Sequence, residues 1–193
     1  MAQRFRRTSR GIEARLDDGE RELVARLFAD VAEMLDDGAA AEQDPLADLV
    51  GISETATTPQ DPALLRLLPH GSRDDEEAAG DFRRYTERGL RARKRDALGT
   101  ARQTLERPGP LALTPPEATA WLTALTDVRL VIAERLGLRT DEDAEELHAV
   151  VAAGDEDDPR TWMAAVYDFL TWLQETLVSV LTQDLPEGGR GRV

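Results

Sequence analysis

The sequence DPRTWMAAVYDFLTWLQETLVSVLT, residues 158–182, indicates the fold more than any other stretch of the chain. Its apolar residues recur at spacings of three and four, which marks one face of a helix. That first row consists of Trp162, Val166, Phe169, Leu173, Leu177 and Val180, and Met163, Tyr167, Leu170, Val178 and Leu181 form a second row beside it. Because so little of this helix is polar, we expect neighbouring elements to cover most of its sides. The pattern predicts the central member of a helical bundle.

Length and composition favour one folded domain that needs no disulfide bond or structural metal ion for stability. At 193 residues the chain can bury a sizeable core, and we expect a single helical-bundle domain over 1–185 with a disordered tail at 186–193. The sequence has no cysteine, which excludes disulfides, thiolate zinc sites and thiol catalysis and makes a reducing cytoplasm the simplest setting. Asp168 and Glu175 lie within the apolar run 162–181, and mid-bilayer charges cost roughly 2.5–3.5 kcal/mol each, so we expect no membrane span.

The N-terminal residues predict a small β-hairpin followed by a helix. A partial alternation of apolar residues runs over 3–16, with Ser9-Arg10-Gly11 as the turn. Asp17-Asp18-Gly19 ends the second strand, and the helix that follows extends to Asp37. Its predicted apolar face consists of Leu23, Leu27, Val31, Met34 and Leu35.

Five helices, including the long one already described, can be placed by their end signals. Aspartate followed by proline opens a short helix at Asp44, another at Asp61 and the long one at Asp158. A polar helix over 74–106 ends at a Pro-Gly-Pro sequence, and the capping box of Thr114 and Glu117 opens the next, which runs to Gly137. A short acidic helix is expected over 141–152. The fold class is therefore all-α: a bundle of about four long helices, short helices and an N-terminal β-hairpin.

Enzyme signatures are absent from the sequence. It has no GxSxG elbow, and Lys94, the only lysine, is not preceded by the glycines of a phosphate-binding loop. Glu145 and His148 have the spacing used in di-iron bundles, but such sites need a second pair and two more glutamates. A solvated or capping role explains His148 more simply. We expect no catalytic residue, no cofactor and no metal ligand.

Charge is the strongest local signal. The net charge of −14 disfavours loose attraction to nucleic acid or anionic membranes, yet residues 1–10 carry four arginines and no acid. One side of the 74–106 helix carries a row of arginines, the candidate interaction surface: Arg84, Arg88, Arg91, Arg95 and Arg102. Three interpretations of this row are open. It contacts a phosphate backbone, it pairs with an acidic region of this chain or of a second subunit, or it is a solvated face supported by a Glu87–Arg91 pair.

Aromatic and buried polar residues have a structural explanation. The predicted core faces carry Trp121, Trp162, Trp172, Phe169 and Tyr167. Asp127 and Arg129 can form a buried polar pair with Asp168 or Gln174, either to orient helices or to line an inter-helix ligand site. The apolar sides of the last helix can be covered within the chain or by a second copy, so a homodimer is an open alternative.

Four stretches, taken in order and spacing, resemble one known family. They are DPALLRLLP at 61–69, DDEEA leading into FRRYTE over 74–87, WLTALTDVRL at 121–130 and VYDFLTWLQETL at 166–177. They are similar to an actinobacterial domain-of-unknown-function family that includes oxidative-stress transcriptional regulators of the AosR type. The resemblance covers residues 3–182 and implies a helical cytoplasmic protein with no established catalytic residue. Thiol sensing, which the resemblance implies for such regulators, has no cysteine to use here.

The leading hypothesis is a non-enzymatic regulatory protein that acts through protein–protein contact, at a promoter with a sigma factor or polymerase. Its contact surfaces would be the arginine row and the basic arm of the hairpin; direct DNA contact is the weaker version. The resemblance also implies genes that neighbour a Clp protease adaptor, which makes a proteolysis-linked adaptor or scaffold the first alternative. An enzyme or small-molecule binder, with an inter-helix site near Asp127, Arg129 and Asp168, is the second.

Overall fold

The computed structural model describes residues 1–9, 11–36, 60–69, 76–140, 142–143 and 158–183, with the backbone alone over 76–85. The short helix expected after Asp44, His148, the C-terminal tail and, apart from 142–143, the short helix expected over 141–152 lie outside these residues. The elements are β1 (Gln3–Thr8), β2 (Gly11–Arg15), α1 (Asp18–Met34), α2 (Pro62–Leu67), α3 (Glu76–Leu105), β3 (Leu111–Leu113), α4 (Pro115–Leu136) and α5 (Pro159–Thr182). The predicted helical fold with an N-terminal hairpin is confirmed.

The hairpin is part of a three-stranded antiparallel sheet in the order β1-β2-β3. The third strand was not predicted, because its three residues are too few to show an alternation. It pairs with β2, with Leu113 opposite Ile12, so its position depends on a partner almost a hundred residues earlier. Gly11 has φ +120°, and a Cβ there would lie 2.8 Å from the Leu113 carbonyl oxygen, so both the backbone and the space require glycine.

Three helix starts follow the predicted caps: Thr114 with Glu117 forms a capping box, and Asp61 and Asp158 each precede a proline and cap α2 and α5. Asp17 with Glu20 forms a further capping box, at the start of α1, that was not predicted. Gly137 ends α4 in the left-handed conformation. Within the described part of the chain, no helix is both long enough and apolar enough to cross a bilayer.

The central helix is α4, and the prediction that α5 takes this place was wrong. α4 packs against α1, α2, α3 and α5, whereas α5 packs mainly against α4 and β1. Trp121 of α4 is fully buried and meets Phe5 of β1 and Phe28 of α1 edge to face, at 5.8 and 5.3 Å between ring centroids. Its indole nitrogen donates to Thr104 Oγ1 of α3 at 2.8 Å. One side chain therefore joins the sheet to three helices.

The outer side of α5 is exposed where the sequence predicted burial. The buried face consists of Thr161, Ala164, Val166, Leu170, Leu173, Leu177 and Val180. Trp162 is 56% exposed and Trp172 is 37% exposed, so placing them in the core was wrong, while placing Trp121 there was right. Periodicity identifies apolar faces of a helix, but it does not say whether the same chain covers them.

Candidate interaction surface

The predicted arginine row on α3 does not form a continuous exposed surface. The side chain of Arg84 lies outside the described residues, Arg88 is half-buried, and Arg91 is only 9% exposed. Arg95 and Arg102 are exposed. An interaction surface on this helix stays a prediction that depends on these last two residues.

Arg91 and Arg95 lie against the C-terminal end of α1. Arg91 Nη1 donates to the Leu35 carbonyl at 3.2 Å, and its Nε and Nη2 donate to Glu87 Oε1 at 2.9 and 2.7 Å. Arg95 reaches Asp36, just beyond α1, at 3.4 Å. The last carbonyls of a helix lack intrahelical donors and carry partial negative charge, so cations there are stabilising. This part of the row therefore holds α1 against α3, with the predicted Glu87–Arg91 support.

Other arginines stabilise helix ends in the same way. Arg21 donates to carbonyl groups at the end of α3, including that of Leu105 at 2.8 Å and that of Gly109. Arg66 approaches the carbonyl of Leu138, just beyond the end of α4, and Arg160 approaches that of Leu136, its last residue, each at 3.5 Å. The guanidinium group suits this role because it presents several donors in a fixed plane.

Lys94, the only lysine, forms an ion pair with Asp127 between α3 and α4. Asp127 is 1% exposed, and its second oxygen, Oδ2, accepts no hydrogen bond within the described residues. Burial raises the pKa of Asp127, and the bond from Lys94 opposes that rise. Asp127 therefore does not take part in the polar group predicted for it and Arg129 with Asp168 or Gln174, because its partner is Lys94.

Arg129 instead joins α4 to α5. It donates to Gln174 Oε1 at 2.8 Å, and its guanidinium carbon lies 5.1 Å from the centroid of the Tyr167 ring. Gln174 in turn donates to Thr126 Oγ1 at 3.0 Å. The predicted Arg129–Gln174 contact is confirmed. Because these side chains are bonded to one another across the helix interface, an inter-helix ligand site draws no support from them.

Arg4 and Arg6 of β1 differ from the arginines described so far. Phe5 between them turns inward onto Trp121, so its two neighbours in the strand turn outward. Both are exposed, and within the part of the chain that the structure describes neither makes a hydrogen bond or an ion pair. Arg15 of β2 is exposed near them, around a shallow depression on the outer face of the sheet.

A groove of about 430 Å³ lies between the edge of β1 and the last turns of α5. Its polar side chains are Arg4, Arg6 and Arg7 on the strand side, and Glu175, Thr176, Ser179 and Gln183 on the helix side. The Phe5 amide donates to Thr176 Oγ1 at 3.4 Å and ties the two walls together. Arg4 and Arg6, which make no hydrogen bond or ion pair within the described residues, bring two guanidinium groups to a groove with one carboxylate, and this suits carboxylate or phosphate groups.

The sequence indicated half of this site. The four arginines of residues 1–10 mark the basic arm of the hairpin, and alternation around Phe5 turns Arg4 and Arg6 outward. The sequence did not indicate the helix wall of the groove, because Thr176 and Ser179 follow β1 by about 170 residues and belong to no motif. Only the packing of α5 on β1 brings the two walls together.

Comparison with known proteins assigns a family. Residues 2–181 match the family described as "Domain of unknown function (DUF2017)". Proteins named "Oxidative stress regulator AosR", from Mycobacterium bovis and from two strains of Mycobacterium tuberculosis, are 33% identical over 180 residues, covering 84% of this chain and 78% of theirs. No solved structure matches. The chain belongs to the DUF2017 family, within which it is similar to these mycobacterial regulators.

Proposed function

We propose that the chain is a regulatory protein of the oxidative-stress response, and that it acts by binding an acidic region of a partner protein in the groove between β1 and α5. The similarity to proteins named as oxidative stress regulators supports the regulatory role. The observation that carries the site is the pair of exposed arginines, Arg4 and Arg6, which have no partner within the described residues.

An acidic protein segment fits this groove better than duplex DNA does. A segment with a few carboxylates can fill about 430 Å³ and meet the guanidinium groups one by one. Duplex DNA needs a wider basic face to follow its phosphates.

The signal that reaches this protein enters through its partner. The 193 residues contain no cysteine, so no thiol on them can record an oxidant. Regulation is then an equilibrium between the free chain and its complex, set by the amount or the state of the partner.

The test compares two variants that remove the same charge from different places. Arg4→Gln/Arg6→Gln removes two exposed arginines of β1, and Arg93→Gln/Arg102→Gln removes two exposed arginines of α3. Each is returned to a strain that lacks the gene, and survival and transcript levels are measured after oxidant treatment. The β1 variant should fail to restore the response while staying folded, and the α3 variant should restore it. Equal restoration by both would reject the groove as the site.

A gel shift with duplex DNA at two salt concentrations separates the protein partner from nucleic acid. We expect no shift that depends on Arg4 and Arg6. A salt-dependent shift that is lost in Arg4→Gln/Arg6→Gln but kept in Arg93→Gln/Arg102→Gln would replace the protein partner with DNA.

A further inference from the structure

One side of α5 carries an apolar stripe that the described elements leave uncovered at its N-terminal end. The stripe consists of the apolar residues Trp162, Ala165, Phe169 and Trp172, and the small polar residues Thr176 and Ser179 continue the same row, at spacings of three and four. Trp162, Ala165 and Trp172 are exposed, and the rings of Phe169 and Trp172 stack with their centroids 6.3 Å apart. A contiguous exposed apolar patch on a folded protein is typical of a site that binds another molecule.

The stripe runs directly into the arginine groove. Thr176 and Ser179, which continue its row, line that groove opposite β1. From residue 162 to residue 179 the helix rises roughly 26 Å, at about 1.5 Å per residue. One surface therefore offers aromatic rings at one end and guanidinium groups at the other.

We propose that the α5 stripe and the groove form a single docking site for an amphipathic helix of a partner protein, with its apolar side on Trp162, Phe169 and Trp172 and its acidic end at the β1 arginines. The inference rests on the proposed function for the acidic end, and it adds the partner's secondary structure, apolar face and orientation. Charge complementarity fixes the direction, because the basic groups lie at one end of the stripe.

The spacing of the stripe is the reason for a helical occupant. Residues three and four apart form the seam at which a second helix packs, and Ala165, which is exposed, adds only a methyl group to that seam. A second copy of α5 suits the seam less well. Asp168 and Glu175 flank the stripe on one side, and an antiparallel pair would bring the acidic flanks of both copies together.

The test uses three fluorescein-labelled peptides with the full chain. The first, of about 18 residues to match the stripe at 1.5 Å per residue, has leucines at the stripe spacing, glutamates at one end and glutamines elsewhere. The second has the same composition with its leucines scattered around the helix, and the third is polyglutamate of equal length. Binding is followed by fluorescence anisotropy for the unaltered chain, Trp162→Ala/Trp172→Ala, Trp162→Phe/Trp172→Phe and Arg4→Gln/Arg6→Gln.

We expect the first peptide to bind the unaltered chain at least about tenfold more tightly than the scattered one, which corresponds to about 1.4 kcal/mol. Trp162→Ala/Trp172→Ala should remove that advantage and leave polyglutamate binding unchanged, whereas the phenylalanine variant should keep most of it. Arg4→Gln/Arg6→Gln should weaken all three peptides. Circular dichroism of each variant checks that it is folded.

The outcomes separate this inference from the proposed function. If polyglutamate binds through the arginines but the first peptide has no advantage, the inference is rejected and the groove stands. If no acidic peptide binds, both are rejected. If the chain forms a dimer in a sizing experiment and Trp162→Ala/Trp172→Ala abolishes it, a second copy occupies the stripe and the inference is again rejected.

Discussion

Two cations of α3, Arg91 and Lys94, resemble those of β1 in the sequence and differ from them in the structure. On α3, Arg91 holds the end of α1 and Lys94 holds the buried carboxylate of Asp127. On β1, Arg4 and Arg6 face solvent with no acid or carbonyl bonded to them within the described residues. A row of like charges therefore identifies a binding surface only after the groups opposite it are known.

The positions of the two elements explain the difference. α3 lies between α1 and α4. Arg91 therefore contacts the end of α1, and Lys94 contacts the buried carboxylate of Asp127 on α4. β1 is at the edge of the sheet, and the face opposite its inward Phe5 is open. If this comparison is correct, removing Arg91 or Lys94 should cost stability, and removing a β1 arginine should cost binding alone.

The largest expected effect is that of Lys94→Met. It leaves the carboxylate of Asp127 buried without a cation, which should lower the free energy of unfolding by about 3–5 kcal/mol at neutral pH. Lys94→Met/Asp127→Leu should recover most of this loss, because no buried charge remains. Urea unfolding of the three proteins measures both values. A loss below about 1 kcal/mol in Lys94→Met would show that the pair is not needed for stability.

The same pair predicts the direction of a pH effect. Burial raises the pKa of Asp127, so its protonated form is favoured in the folded chain, and this contribution is present at low pH and is lost as pH rises through the raised pKa. Removing Lys94 removes the group that opposes the rise. The stability gap between Lys94→Met and Lys94→Met/Asp127→Asn should therefore shrink as pH falls. A gap that stays constant with pH would contradict this assignment.

Arg91→Ala should cost about 2–3 kcal/mol, because Glu87 and the Leu35 carbonyl both lose a donor in a largely buried place. The matched control is Arg95→Ala, four residues later on the same helix. Its contact with Asp36 is exposed, and we expect a loss below about 0.5 kcal/mol. Equal losses in the two variants, measured by urea unfolding, would contradict the internal role of Arg91.

The ion pair of Arg107 with Glu117 is tested by the pH dependence of stability in the variant Glu117→Gln. The side-chain bond from Arg107, with smaller contributions from Thr114, lowers the pKa of Glu117 to about 2 from its ordinary value of 4.5. The contribution to stability is present above pH 4.5 and is lost as pH falls toward 2. The variant should lose about 1–2 kcal/mol at neutral pH and have a shallower decline in acid. An unchanged decline would argue against the Arg107–Glu117 pair.

The smallest effect on stability belongs to β1. Arg4→Gln/Arg6→Gln should leave the free energy of unfolding within about 0.5 kcal/mol of the unaltered chain, since surface groups without partners contribute little. Thermal unfolding followed by circular dichroism measures this. A loss above about 2 kcal/mol would mean that these arginines hold the sheet in place, and the comparison with α3 would fail.

Local signals predicted the elements, and long-range packing decided what the sequence could not show. Thr114 with Glu117 and Gly137 set the bounds of α4, because caps act within a few residues. The third strand and the helix wall of the groove depend on residues far apart in the chain. We expected Trp162 to be buried and Arg91 to be exposed, and both predictions were wrong for one reason. Helix periodicity gives the direction of a side chain, but it does not say which elements lie in that direction.

The most direct test of the contrast is the rate at which phenylglyoxal modifies each arginine of the folded chain, followed by peptide mass spectrometry. Every described guanidinium group is then compared in a single experiment. Arg4 and Arg6 should react at rates close to those of the unfolded chain, whereas Arg21 and Arg91 should react at least about tenfold more slowly, since local opening of about 1.4 kcal/mol or more precedes reaction. Modification of Arg91 as fast as Arg4 would contradict the division between structural and contact arginines.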